Sequence, residues 1–218
     1  MIIIGYARSS RQGRARSKMA GRANPFDWSG GHPALDLVNT LDERPSGAPV
    51  ENLATYGDLV RFAELAGLIK APASGRLRSL DGPDGSRIAR RARELREHLY
   101  AILAAVHSGR TVPKVSLEAI GSEVRRAHAA RVLVAAATSN AVRHGWSSPS
   151  SPEIPLHACA LAVETLLVMA DHSRIRKCGA SDCEVYFIDT SKAHRRQWCS
   201  MQNCGNREKQ RRWRAGAD

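Results

Sequence analysis

Apolar residues recur at helical spacing along much of the chain up to about residue 173. Ala34, Leu35, Leu37, Val38 and Leu41 form a short face that follows the punctuation of Gly30-Gly31 and Pro33. Leu53, Tyr56, Leu59, Val60, Phe62, Ala63 and Leu65 predict a helix over 53–69, with Thr55 or Asn52 available as its cap. The strongest pattern covers 84–107. There Ile88, Ala92, Leu95, Leu99, Ile102, Leu103 and Val106 share one face, and Arg90, Arg91, Glu94 and Glu97 the other. A further helix is expected over about 115–128, just after Pro113. The stretch 156–173 is nearly all apolar and reads as the central core helix, with Cys159 a small buried hydrophobe on it.

Elsewhere the period changes. Two β-prone runs flank Thr138-Ser139-Asn140 and predict a hairpin over 131–146. Residues 43–52 and the Pro-, Gly- and Ser-rich 71–83 read as loops. Near the C-terminus, 185–189 (VYFID) reads as a strand, 190–195 as a turn and 196–199 (RQWC) as a return strand. A helix from about Ser200 to Trp213 follows. Trp198 and Trp213 are expected to pack against the VYF run.

With 43% hydrophobic and 25% charged residues the chain has the composition of a globular protein, and no apolar run approaches the roughly 18 residues of a membrane span. The net charge of +12 changes the picture, because it is concentrated at the two ends. Residues 1–22 carry six basic residues and no acid, and 174–214 carry 11 basic against 4 acidic. The stretch 23–173 balances at 16 of each. A neutral body joined to a basic module points to a polyanion partner. Residues 1–23 show no period and read as a flexible basic arm. It is either a source of extra phosphate contacts or an extension ahead of a native start at Met19.

Four of the five cysteines crowd into the basic module as Cys178-x4-Cys183 and Cys199-x4-Cys204, separated by 15 residues. Two close pairs joined by a hairpin-sized insert suit one tetrahedral structural zinc ion. No secretory segment precedes them, which disfavours disulfides and favours a reduced, cytoplasmic setting. An iron–sulfur cluster is the other alternative. Cys204 near a helix N-terminus gains from the helix dipole, and nearby Arg and Lys offset the negative charge of a zinc–thiolate centre. Gly205 permits a close approach of the backbone, and Asn206 is expected to bond the first cysteine loop. Arg207, Arg211 and Arg214 recur at i, i+4, i+7 as a basic stripe, widened by Lys209 and Arg212. Arg195 and Arg196 add to the set before it. Nucleic-acid contact is the favoured reading, and a merely solvated basic face the simpler one.

The tract from "RIRKCGASDC" through "FIDTS", "RRQWCSM" and Cys204-Gly205-Asn206-Arg207 resembles the CGNR zinc finger. The body resembles the ABATE domain that precedes this finger in many bacterial proteins, with "GGHPALDLVNTLDER" as its opening motif. The resemblance implies a transcriptional regulator that binds DNA through its finger, with zinc on Cys178, Cys183, Cys199 and Cys204. It also implies a cytoplasmic protein, associated with the nucleoid if it binds DNA. In the opening motif His32, Asp36 and Asn39, with Arg44 nearby, either line a pocket for a small-molecule effector or cap and hydrogen-bond the Gly-Gly turn.

The expectation is an α+β protein in three parts. They are the arm (1–23), a mainly helical domain with a β-hairpin (24–173), and a small treble-clef-like zinc finger with four cysteine ligands (174–218). The body then senses a ligand or forms a homodimer. It shows no nucleophile, paired carboxylates or phosphate loop, so no enzyme is expected. A zinc-stabilised protein-interaction module and an RNA-binding protein stay open as alternatives.

Overall fold

The computed structural model describes residues 24–77, 83–136, 141–168 and 171–216. The basic arm and the turn Thr138–Asn140 lie outside them. Seven helices and three two-stranded sheets make up the described fold, which is α+β with helices dominant. They are α1 (Pro33–Val38), β1 (Leu41–Asp42), β2 (Val50–Glu51), α2 (Tyr56–Leu65), α3 (Ala71–Leu77), α4 (Pro83–His107), α5 (Lys114–Ala129), β3 (Arg131–Ala135), β4 (Val142–Trp146), α6 (Ile154–Leu167), β5 (Ile175–Lys177), β6 (Tyr186–Ile188) and α7 (Asn206–Ala215).

Local chemistry explains the boundaries. Thr55 caps α2 through a reciprocal bond with Asp58: the Asp58 N–H donates to Thr55 Oγ1, and the Thr55 N–H donates to the Asp58 carboxylate. Pro155 sits in the first turn of α6, where a missing N–H costs nothing. The first part of the stretch expected as a loop over 71–83 instead forms α3, Pro83 opens α4, and residues 78–82 lie outside the described residues. Pro72 occupies the first turn of α3, Ser74 Oγ donates back to the Ala71 carbonyl at 2.8 Å, and Leu77 is buried. The expected loop 43–52 contains a 3-10 turn at Arg44–Ser46 and ends in β2, which pairs briefly with β1 just before the loop. The apolar helix α6 runs shorter than its hydrophobicity suggested, ending at Leu167, and a 3-10 turn covers His172–Arg174.

The body buries one core between α1, α2, α4 and α6, with α5 packed beside α4 and α6. Cys159 lies in it as expected, its thiol pushed up to about 12 by burial and therefore unreactive. Strands β3 and β4 form the expected antiparallel hairpin, with Arg131 opposite Trp146 and Ala135 opposite Val142.

The C-terminal module is built differently from its expected form. Strand β6 pairs with β5, which precedes the first cysteine, placing Ile175 opposite Ile188 and Lys177 opposite Tyr186. The return strand over 196–199 does not form, because its backbone groups are bound elsewhere. The Arg196 N–H donates to Asp189 Oδ2, the Cys199 N–H to Cys178 Sγ, and the Gln197 carbonyl accepts from the Gly179 N–H. A cysteine-bearing hairpin, a pinned loop and then a helix make the module treble-clef-like.

Alternate residues of a strand face opposite sides, and β6 uses both. Tyr186 and Ile188 pack on the body core, while Phe187 and the preceding Val185 pack on the cysteine cluster. Asn39, after α1, grips this strand: its Nδ2 donates to the Tyr186 carbonyl at 2.9 Å, and its Oδ1 accepts from the Tyr186 N–H at 3.1 Å. The Ile188 N–H donates to the Gly30 carbonyl at 2.8 Å. A Cβ at Gly30 would fall 2.7 Å from Asp36 Oδ1 and 2.8 Å from Leu35 Cβ, so only glycine fits.

Candidate zinc centre and nucleic-acid interface

Cys178 and Cys183 lie on the connection between β5 and β6. Cys199 ends the pinned loop, and Cys204 lies in a π-turn (Met201–Gly205) that runs directly into α7. Ser200 Oγ caps this turn by accepting from the Asn203 N–H. The four sulfurs all lie within 4.8 Å of one another, with Cys183–Cys199 at 3.9 Å and Cys199–Cys204 at 3.5 Å. Four thiolates about 2.3 Å from one tetrahedral zinc stand roughly 3.8 Å apart, so the set fits that ion. The same distances exclude disulfides, which need sulfurs about 2.05 Å apart. Without a metal the sulfurs cannot all ionise together. Hydrogen bonds from Cys183, Cys199 and Cys204 hold the Cys178 thiol far down, and Cys178 in turn pushes the Cys199 thiol up. A dication removes that conflict, and with four protein ligands no position is left open for substrate.

The surroundings serve the same centre. Arg207 Nη2 donates to Cys204 Sγ at 3.3 Å, placing a guanidinium against the excess negative charge of a four-thiolate site. Trp198 covers the cluster. A Cβ at Gly205 would meet Met201 Sδ at 2.8 Å and Trp198 Cδ1 at 3.0 Å, so the close approach that glycine permits there is to these side chains. The Asn206 Nδ2 donates to the Gln202 carbonyl at 3.3 Å, not to the first cysteine loop.

The expected basic stripe divides in two. Arg207 and Arg211 converge on Asp182, beside Cys183, at 2.8 and 2.6 Å, and Arg211 also reaches Glu208 and Ser181. Burial works against ionisation of Asp182, yet Arg211 and Arg207 keep its carboxyl below the usual range. These two arginines therefore tie α7 to the first cysteine loop while their side chains stay partly exposed. Arg196 is also engaged: it lies 4.3 Å over the Phe187 ring and donates to the Trp198 and Cys199 carbonyls. Arg195, Lys209, Arg212 and Arg214 are exposed, and no ion pair holds them among the described residues. Trp213 departs from expectation. It is 76% exposed on the outer face of α7, a helix that buries none of its residues.

At the opening motif the four side chains named as pocket candidates are committed to internal bonds. His32 caps α1 by accepting from the Ala34 N–H, and burial lowers its pKa to about 4. Asp36, fully buried, accepts from the Gly30 N–H at 2.9 Å. Asn39 holds Tyr186. Arg44 makes a two-pronged pair with Glu97 at 2.8 and 3.0 Å and lies 4.1 Å over the Tyr100 ring. Of the two readings of the motif, these contacts are those of capping and buried hydrogen bonding. An open cleft of about 390 Å³ lies elsewhere, between the end of α5, Trp146 and the start of α6. It is lined in part by Arg126, Ser151, Glu153 and His157. His157 Nδ1 is buried with no hydrogen-bond partner among the described residues.

A family model, ABATE, described as "Putative stress-induced transcription regulator", matches residues 31–170. The chain belongs to the ABATE family. The CGNR zinc finger model matches residues 174–216, so both parts occur in the expected order. No curated protein matches the chain. The junction between the ABATE domain and the finger is not a loose linker, because the motif that opens the domain receives the finger's β6. Among the described residues no helix is long and apolar enough to cross a membrane.

Two finger residues escaped the sequence reading. Asp182 orients α7. Asp189, fully buried, accepts from the Ser191 and Arg196 N–H groups at 2.8 and 2.9 Å and is held down to about 2, chiefly by Ser191. Their signal was available: Asp-Thr-Ser at 189–191 is a side-chain-capped turn pattern, and Asp182 is one of few acids in a basic module.

Proposed function

We propose that the protein is a non-enzymatic, cytoplasmic regulator that binds DNA through α7, with the zinc centre as the rigid base of that helix. One observation carries this reading: α7 buries nothing, is anchored at its base by Cys204, Arg207 and Arg211, and presents Lys209, Arg212 and Arg214 to solvent. Exposed cations on a fixed helix are what phosphate contact requires, and each phosphate neutralised releases counterions. Arg195, exposed in the preceding loop, extends the same basic surface.

The test is the salt dependence of DNA binding by the zinc-loaded protein. Replacing Lys209, Arg212 and Arg214 by alanine should weaken binding and flatten the plot of log affinity against log salt by roughly one unit per lost phosphate contact. An unchanged slope would refute the assignment. In the same reading the body senses an effector in the cleft beside Trp146 and His157. A compound that shifts DNA affinity of the native protein should then fail to do so in Trp146→Ala.

A further inference from the structure

Three of the four tryptophans have a packing role. Trp28 stacks on Phe62 with ring centroids 5.6 Å apart, Trp146 lies 6.0 Å from the His157 ring, and Trp198 covers the cysteine cluster. Trp213 has no ring contact among the described residues and is 76% exposed. Its position on α7 is specific. Residues four apart share a helix face, so Lys209 stands one turn below Trp213, and Arg212 and Arg214 flank it in sequence. Arg207 and Arg211, tied to Asp182, define the opposite face. The outward face therefore holds one large aromatic plane above Lys209 with Arg212 at its edge, while Arg214 lies on the side of Arg207 and Arg211.

An indole within a group of cations suits a polyanion that also offers flat apolar faces, and a nucleic acid is such a partner. Within a duplex both faces of each base are covered by neighbours, and a side chain that enters must first unstack a step. A strand whose bases are already open presents those faces at no such cost. We infer that Trp213 stacks on an unpaired nucleobase while Lys209 and Arg212 pair with the neighbouring phosphates, so that the finger prefers nucleic acid with open bases over intact duplex. This rests on the nucleic-acid reading above and specifies its partner. Single-stranded DNA and RNA share the recognised chemistry.

The experiment compares one sequence as deoxy single strand, ribo single strand and DNA duplex, bound by the intact zinc-loaded protein at two salt concentrations. Trp213→Ala should weaken single-strand binding about tenfold or more with the salt slope unchanged, and Trp213→Phe should recover most of the loss. Tryptophan emission should be quenched by single strands in the native protein and not in Trp213→Phe. The ratio of deoxy to ribo affinity identifies the source, and tighter binding of either single strand than of duplex supports the proposal. Native-like single-strand affinity in Trp213→Ala, unquenched native emission, or equal preference for duplex would overturn it. So would displacement of the single strand by polyglutamate at an equal concentration of charges. Failure of the underlying reading looks different: the native protein would bind none of the three strands even at low salt.

Discussion

In the body, Leu35, Leu59, Phe62, Leu99 and Val163 belong to a continuous apolar core contributed by four helices. In the finger the buried apolar cluster around the metal site shrinks to Cys178, Ala180, Phe187, Cys199 and Cys204, three of which are metal ligands. One part coheres because apolar area leaves water, and the other because four sulfurs share an ion. The contrast extends to the surface. Both parts pair some of their charges, Arg91 with Glu123 and Arg96 with Glu51 in the body and Arg207 with Asp182 in the finger, but the body balances its charges whereas the finger keeps a net excess of cations, several of them on an exposed helix. A part that depends on a metal rather than on a wide core can keep an entire helix outside.

The sharpest way to break the comparison is to remove the metal's hold. Cys204→Ser, or a strong chelator, should release zinc and unravel the finger while the body stays helical, since a structural zinc is worth on the order of 10 kcal/mol. Metal analysis and the dispersion of NMR signals from 174–216 would check it. Stoichiometric zinc in a folded Cys204→Ser finger would sink the assignment.

The seam between the two cores comes next. Asn39→Ala leaves the Tyr186 N–H and carbonyl buried without partners, and each such group costs about 1–3 kcal/mol. The midpoint of urea unfolding should fall accordingly, with zinc still bound. An unchanged midpoint would mean that the two parts hold separately.

A smaller effect tests the body alone. Burial disfavours the charged form of His32 and lowers its pKa from 6.5 to about 4. A lowered folded-state value means that its contribution is complete above 6.5 and is lost as pH falls toward 4. The loss amounts to about 3 kcal/mol at most. His32→Asn caps the helix without titrating. The stability difference between native and variant, followed by thermal unfolding, should therefore move against the native protein across that window. Because both share one zinc centre, its own acid lability cancels. A difference that is flat with pH would reject the buried neutral cap.

Residue pattern carried much of this structure. Most of the faces of α2 and α4 (Leu65 and Val106, at their ends, are exposed), the presence of α5, the β3–β4 hairpin and the four ligands follow from spacing, because each is set by near neighbours in sequence. What spacing left open concerns facing. The positions 207, 211 and 214 share a side of α7, but periodicity does not say whether that side meets solvent or Asp182, some 25 residues away. The apparent return strand at 196–199 failed for a similar reason: its backbone partners are Asp189, Gly179 and a sulfur, none of which a β pattern encodes. The opening motif allowed both a pocket and a cap because buried polar residues serve docking as well as binding. Only the position of β6 distinguishes the two.

That docking also sets an order of events at the ribosome. Tyr186, among the largest fully buried side chains, meets Asn39 across 147 residues of chain. At about 5–20 residues per second, Asn39 emerges roughly 7–30 seconds before the strand it must grip. During that interval α1 carries an amide with nothing to hold, and the body core has a gap the size of a tyrosine. Of these two parts, the one that emerges earlier thus closes only when the cysteine-bearing hairpin of the later one arrives.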